Sequence, residues 1–246
     1  MATLQKFTST ILLVSFLLLL LSFWKRNELP GNIELIPAIG EEPKQTRTAK
    51  QPFDVEFGGV NYRVEPQYEY DLHGMIVSYR HHDGDSRMHR RANDHLNMLD
   101  VCVVWGENAA GEHLRNLNFW NGIFTCNVET RDLDAWNQFR MNELSNNHLL
   151  SNDEFVRDRV MGIGIGDQIR VRGWLASYSN DSGSKRGTST TREDTGDGAC
   201  ETIFIDHFEI VQAALSLWRL SMYLSLVVLL LFLFLYFRGP YRPHGA

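Results

Sequence analysis

The chain has 246 residues, a formal net charge of -6 and a hydrophobic content of 43%. Those averages hide a segregated pattern: Phe7–Trp24 and Leu220–Phe237 are almost wholly apolar and carry no charge, while the stretch between them is polar. This excludes an ordinary soluble enzyme, a disordered chain and a polytopic transporter.

Phe7–Trp24 would span ~27 Å as a helix, close to the thickness of a bilayer's hydrocarbon core. Leu21-Ser22-Phe23-Trp24 is bulky where a cleavage site needs small residues, so the segment reads as an anchor rather than a cleaved leader. Leu220–Phe237 is apolar on every side, and the polar middle is too small to wrap such a helix. Trp24, Trp218, Tyr223 and Tyr236 sit at the ends of the two spans, where aromatic rings favour the headgroup zone. Arg238 and Arg242 after the second span outnumber Arg219 before it, which predicts both termini in the cytoplasm. The expected order is a tail at 1–6, a transmembrane helix at 7–24, a linker at 25–52, an extracytoplasmic β-rich domain at 53–212, a second transmembrane helix at 218–237 and a tail at 238–246.

All 30 acidic residues lie in the middle region, and four of the 24 basic ones, Lys6, Arg219, Arg238 and Arg242, lie outside it. A domain of that sign repels phosphate backbones, which weighs against nucleic acid as a partner. The expected partners are the bilayer and another membrane or envelope protein.

Asn27–Pro52 holds four of the seven prolines and reads as linker. Phe53–Phe57 and Val60–Val64 flank Gly58-Gly59, a two-residue hairpin signal, because both turn positions need positive φ. Further strands are predicted at Tyr70–Tyr79, Leu99–Trp105, Gly122–Val128, Gln168–Tyr178 and Thr202–Val211. Helices are predicted at Asp132–Leu144, with Thr130 as cap, and at Asn152–Val160, where Ser151 and Glu154 match a capping box.

Cys102 and Cys126 both fall within predicted strands that are consecutive in sequence. A bridge between them is one of three possible pairings, and the alternative is that both are small buried thiols.

His81, His82, His89 and His95 lie within fifteen residues that also hold three aspartates, a set of ligand types that suits a divalent metal. The spacing matches no known pattern, and the plainer reading is a solvated loop. Cys200 with His148 is a candidate nucleophile and base, although Glu193, Asp194, Asp197 and Glu201 would oppose a thiolate. The acidic run Asp194–Glu201 is a candidate calcium loop without EF-hand order. No cofactor is predicted beyond such a metal.

Gly166-Asp167-Gln168-Ile169-Arg170-Val171-Arg172-Gly173-Trp174-Leu175 resembles a strand of OB-fold proteins: a Gly-Asp turn leads into an alternating strand with a glycine at mid-strand. The chain as a whole is similar to two-span bacterial membrane proteins with a β-rich extracytoplasmic domain. That likeness implies the inner membrane and no particular activity. The expected fold class is therefore membrane-anchored α+β, with a small, OB-like, partly closed barrel carrying a helical insertion. The expected function is presentation of this domain for binding or assembly at the cell envelope. The alternatives are a membrane-anchored metal- or cysteine-dependent hydrolase, and an OB-like nucleic-acid binder facing the cytoplasm.

Overall fold

A computed structural model describes residues 2–31, 33–82, 91–122, 124–191, 193 and 200–238. It divides into two units, one made of the terminal segments and one spanning residues 32–214.

The terminal unit holds α1 (Ala2–Lys25) and α5 (Leu217–Arg238), which pack against each other. Both are long and apolar enough to cross a membrane. Each continues a few residues past the apolar blocks, because a helix needs no apolar side chain where it leaves hydrocarbon. Ser15, Ser22 and Ser225 are buried within the two helices, and small side chains let two helix backbones approach closely. Lys25 lies 5.1 Å from the Trp218 ring and pairs with Glu28 at 2.9 Å.

The second unit is built on strands. In chain order they are β1 (Lys44–Arg47), β2 (Phe53–Phe57), β3 (Val60–His81), β4 (Asn97–Val104), β5 (Asn118–Asn121), β6 (Cys126–Glu129), β7 (Leu144–Leu150), β8 (Gln168–Asn180), β9 (Lys185–Arg186) and β10 (Glu201–Gln212). The short helices are α2 (Gly106–Ala110), α3 (Leu133–Gln138) and α4 (Glu154–Met161).

Gly58 and Gly59 both have positive φ and join β2 to β3, as their sequence demands. β3 then runs on for 22 residues, past the Tyr70–Tyr79 segment that alternation alone suggests. It pairs antiparallel with β4 on one side and with β8 on the other. β4 pairs with β7, β7 runs parallel to β10, and β10 pairs with β8. Five strands thus follow one another around a ring in the order β3–β4–β7–β10–β8. Leu72, Val101, Leu149, Val171, Leu175 and Ile203 are fully buried in these strands. Each such side chain contributes roughly 1.5–3 kcal/mol. A second apolar cluster gathers Tyr62, Val64, Leu150, Tyr178 and Phe204 with Phe53 of β2, whose ring meets Phe204 edge-on at 5.1 Å.

The expected linker is more ordered than its prolines suggest. Residues 44–47 form β1 against β3, and Ile39 is buried in a 3-10 turn over Pro37–Gly40. Glu34 and Ile36 are held by the buried Gln168, whose Nε2 donates to the Glu34 carbonyl at 2.6 Å while its Oε1 accepts from the Ile36 N–H at 2.8 Å. Gln212 donates to the same Glu34 carbonyl at 2.7 Å, and the Ala214 N–H donates to Asp167 at 2.8 Å. The chain therefore enters and leaves this unit side by side. Val104 pairs with Met75, and Met75 with Gln168, so the insertion between β4 and β7 springs from that same end of the ring.

The helix starts differ from the expected caps. Asp132 rather than Thr130 caps α3, and Asp153 rather than Ser151 caps α4; a carboxylate two residues ahead of a free N–H reaches it directly. Thr130 and Ser151 accept instead from the N–H groups of those two aspartates. α3 ends at Gln138, short of the predicted Leu144, which begins β7.

Gly173 lies opposite the register shift in β10 between Ile205 and His207. A Cβ there would stand 2.1 Å from the Phe204 carbonyl oxygen and 2.9 Å from Ile205 Cα. Both obstacles are backbone, so Gly173→Ala should destabilise the domain by about 2–3 kcal/mol, the upper range for overpacking, read from denaturant unfolding. On the outside of β8, Arg170 holds Asp71 at 2.7 and 3.0 Å, and this hydrogen bond is the main reason the Asp71 carboxyl lies below its ordinary value of 3.8. A depressed folded value means stability that is present above about pH 4 and lost as pH falls through the lowered value. Acid titration of unfolding should show a shallower loss in Arg170→Gln than in the parent chain.

Candidate functional site

One face of the ring is polar and yet buried. Along β3, β4, β7 and β10 the register sets Ser78 opposite Cys102, Cys102 opposite Asn146, and Asp100 opposite His148. Cys200 immediately precedes Glu201, the partner of Asn147, which places it beside Asn146. His82 follows β3 on the same alternation as Ser78. The face is covered by the β5–β6 hairpin, a separate two-stranded sheet.

Polar contacts and a covalent bond hold the hairpin down. Ser78 donates to Asn121 at 2.6 Å. Asn146 donates to the Phe124 carbonyl at 3.0 Å, and the Cys200 thiol donates to the same oxygen at 3.3 Å. Cys102 and Cys126 form a disulfide with Cα atoms 5.7 Å apart. Of the pairings the sequence allows, this is the one formed, and it joins the ring to the hairpin lying over it. Phe124 has a φ of +63°, a conformation that non-glycine residues avoid. Its ring lies 5.9 Å from that of His148, 6.4 Å from that of His82 and 3.7 Å from the Arg186 guanidinium.

Beneath Phe124, His82, Asp100 and His148 converge. Their donor atoms all lie within 4.8 Å of one another, a set that could hold a metal ion. Asp100 is fully buried and His148 is 2% exposed. His148 Nδ1 bonds to Asp100 Oδ1, His82 Nε2 lies 2.8 Å from the same oxygen, and Asn97 donates to it at 3.3 Å. Burial works against the Asp100 charge, but the hydrogen bonds from the two imidazoles overcome it and hold the carboxyl well below the usual range. Burial lowers the His148 value, Asp100 opposes that shift, and Arg186 adds to it, so the ring stays neutral.

The other predicted site residues are dispersed. His81 points to the opposite side of β3, where its ring meets Tyr79 at 5.2 Å. His95 packs against the Gly58 turn and bonds to Asn93 at 3.0 Å. His89 and most of Asp194–Glu201 lie outside the described residues, as do Arg242 and the C-terminal tail beyond Arg238. Cys200 accepts from Asn146 and donates to Phe124, and burial pushes its thiol up, away from the thiolate a nucleophile needs. His148 is turned to Asp100. Sequence reasoning did not single out Asp100, although a lone carboxylate inside Met98-Leu99-Asp100-Val101-Cys102-Val103 is the signal of a buried, partnered acid.

Comparison with protein-family models, with curated proteins and with solved structures finds no match to the chain.

The disulfide closes a loop over a sequence separation of 24, so Cys102→Ser combined with Cys126→Ser should lower stability by about 3.5 kcal/mol in the chain-entropy treatment. Thiol titration of the denatured parent chain should find one reactive group, Cys200, before reduction and three after it.

Proposed function

We propose that the chain is a two-span membrane protein that presents an acidic, OB-like barrel for binding or assembly at the cell envelope. Both termini lie in the cytoplasm and the barrel lies across the membrane. The OB-like reading is supported by the ring order, by the single parallel pair β7–β10, by α4 between β7 and β8, and by the glycine in β8 where it faces the register shift. The extracytoplasmic placement is supported by the Cys102–Cys126 bridge, since such bonds persist in oxidising compartments.

The observation that carries the binding role is the insertion between β4 and β7. Trp120 is 44% exposed, Leu133 71%, Trp136 44% and Met141 48%. Phe139 stacks on Trp136 at 6.2 Å and meets Phe119 at 5.9 Å, so these three rings form one ordered aromatic group within the insertion. Large apolar side chains gathered outside a core mark contact sites. The partner is a second membrane or envelope protein.

The hydrolase alternative is less well supported, because Asp100 and His148 are sealed from substrate and the Cys200 thiol stays protonated. The nucleic-acid alternative needs free cations, but Arg170 is bound to Asp71 and Arg172 to Asp206, and Arg186 stacks on Phe124. The face between the second and third ring strands, where OB folds take oligonucleotides, is occupied by the chain's own hairpin.

A photo-crosslinking residue placed at Trp136 in the full-length protein in its native membrane should give a discrete protein adduct. The same residue at Glu65, exposed on β3, should give none. Leu133→Ser should weaken the Trp136 adduct with no change in melting temperature. An identical pattern from both positions, or no adduct from either, would overturn the binding role.

A further inference from the structure

We propose that His82, Asp100 and His148 bind one divalent transition-metal ion of the zinc type, which fastens the end of β3 to β4 and β7 beneath the hairpin. This site is independent of whether the insertion docks a partner.

The argument starts from an imbalance on Asp100. Three donors, from His148, His82 and Asn97, crowd onto Oδ1. Oδ2 is equally buried and, among the described residues, has no hydrogen-bond partner. An unpaired charged oxygen in the interior is costly, since nothing replaces the water it lost. A cation bound by both oxygens of Asp100 and by the two imidazole nitrogens removes that deficit. It also supplies four donor atoms, the number zinc takes in closed sites.

The donor types fit this class of metal. Two imidazoles and one carboxylate favour zinc and its first-row neighbours over calcium or magnesium, which prefer all-oxygen shells. The ligand atoms would be Nε2 of His82 and Nδ1 of His148, the same nitrogens that now face Asp100. Each ring then carries its single proton on the remote nitrogen, so binding needs no net loss of a proton from a neutral imidazole. Arg186 opposes a cation, and its guanidinium is turned onto the Phe124 ring at 3.7 Å. The negative charge of Asp100 offsets that repulsion, and Asn97 provides the outer-shell hydrogen bond that orients the carboxylate.

The site also explains a wall of otherwise costly features. Phe124 adopts a left-handed conformation whose result is to lay its ring against both histidines. An apolar cover over a metal centre excludes water and strengthens each coordination bond.

The test uses the full-length protein in detergent, stripped of metal by a chelator and then titrated with Co(II), with Zn(II) as competitor. The expected result is one Co(II) per chain, visible ligand-field bands, displacement by Zn(II), and a rise in melting temperature with either ion. His82→Gln and His148→Gln should each weaken binding by more than about 100-fold, because loss of an outer-shell partner alone weakens it by 10–100-fold. Cys200→Ser should leave the spectrum unchanged. If His148→Gln does not fold, His82→Gln at the strand end decides. Absence of ligand-field bands and of any thermal shift in the parent chain would overturn the proposal. So would Co(II) binding that survives His82→Gln undiminished, since the ion would then sit elsewhere.

Discussion

The domain depends on one strand being long enough to be shared. β3 runs for 22 residues and pairs with β1, β2, β4 and β8. Only because it reaches both β4 and β8 does the sheet return on itself, leaving no open edge between those two. A strand of that length does not curve without breaks in its ladder. Its breaks are the register shifts between Pro66 and Tyr68 and between Ile76 and Ser78. Proline is at home at the first, because it has no N–H to lose from a ladder. Gly74 serves the inner side of the same bend, since a Cβ there would fall 2.1 Å from Val103 Cγ1. The partner strand β8 is relieved in the same way at Gly173, so closure is written in glycine and proline on both strands that carry it.

A closed ring has two faces for each strand, and closure decides which of them can be polar. In β4 every residue is buried, which means that the outer face of the strand is covered as fully as the inner one. Val101 and Val103 belong to the apolar interior. Asp100 and Cys102 belong to the outer face, and they are buried only because the hairpin lies on it. The hairpin is thus the physical reason a carboxylate and two imidazoles sit out of water together. Its attachment is covalent at Cys102–Cys126 and polar at Asn121, Asn146 and Cys200. The sealed cluster and the exposed aromatic side chains are two sides of one insertion: the part pressed inward buries charge, and the part left outside exposes Trp120 and Trp136.

Local chemistry made part of this legible. The two apolar spans follow from composition, the β2–β3 turn from Gly58-Gly59, and the bent strand from Gly173, because each is set by residues adjacent in sequence. The pairing of Cys102 with Cys126 is likewise near in the chain. The cluster was not legible, because its members come from positions 82, 100 and 148 and are joined only by strand register. The histidine-rich segment drew attention to four rings at once, but alternation along a strand sends neighbours to opposite faces. His82 therefore joins Asp100 on the face that the hairpin covers, while His81 meets Tyr79 on the other side. His148 stood out as a candidate base for Cys200 rather than as the strand neighbour of Asp100. Asp100 was overlooked because a single acid inside an apolar run leaves the strand pattern intact. The caps at Asp132 and Asp153 were each displaced by two residues for a simpler reason: the carboxylates accept the helix N–H groups more strongly, and the hydroxyls of Thr130 and Ser151 take the aspartates' own N–H groups instead.

The two ends of the domain extend the argument from fold to role. Gln168 and Gln212 both donate to the Glu34 carbonyl, and the Ala214 N–H donates to Asp167 beside the buried Gln168. Within this unit the residues that enter and leave are fixed to the ring by the buried Gln168 and Asp167 and by the half-buried Gln212. The insertion begins at Val104 and returns at Leu144, which pair with each other at that same end of the ring. The entering and leaving segments and the insertion are therefore built on one end of the ring, while Asp100 and His148 lie further along β4 and β7. The insertion thus interrupts the same two strands that the buried cluster joins to the end of β3.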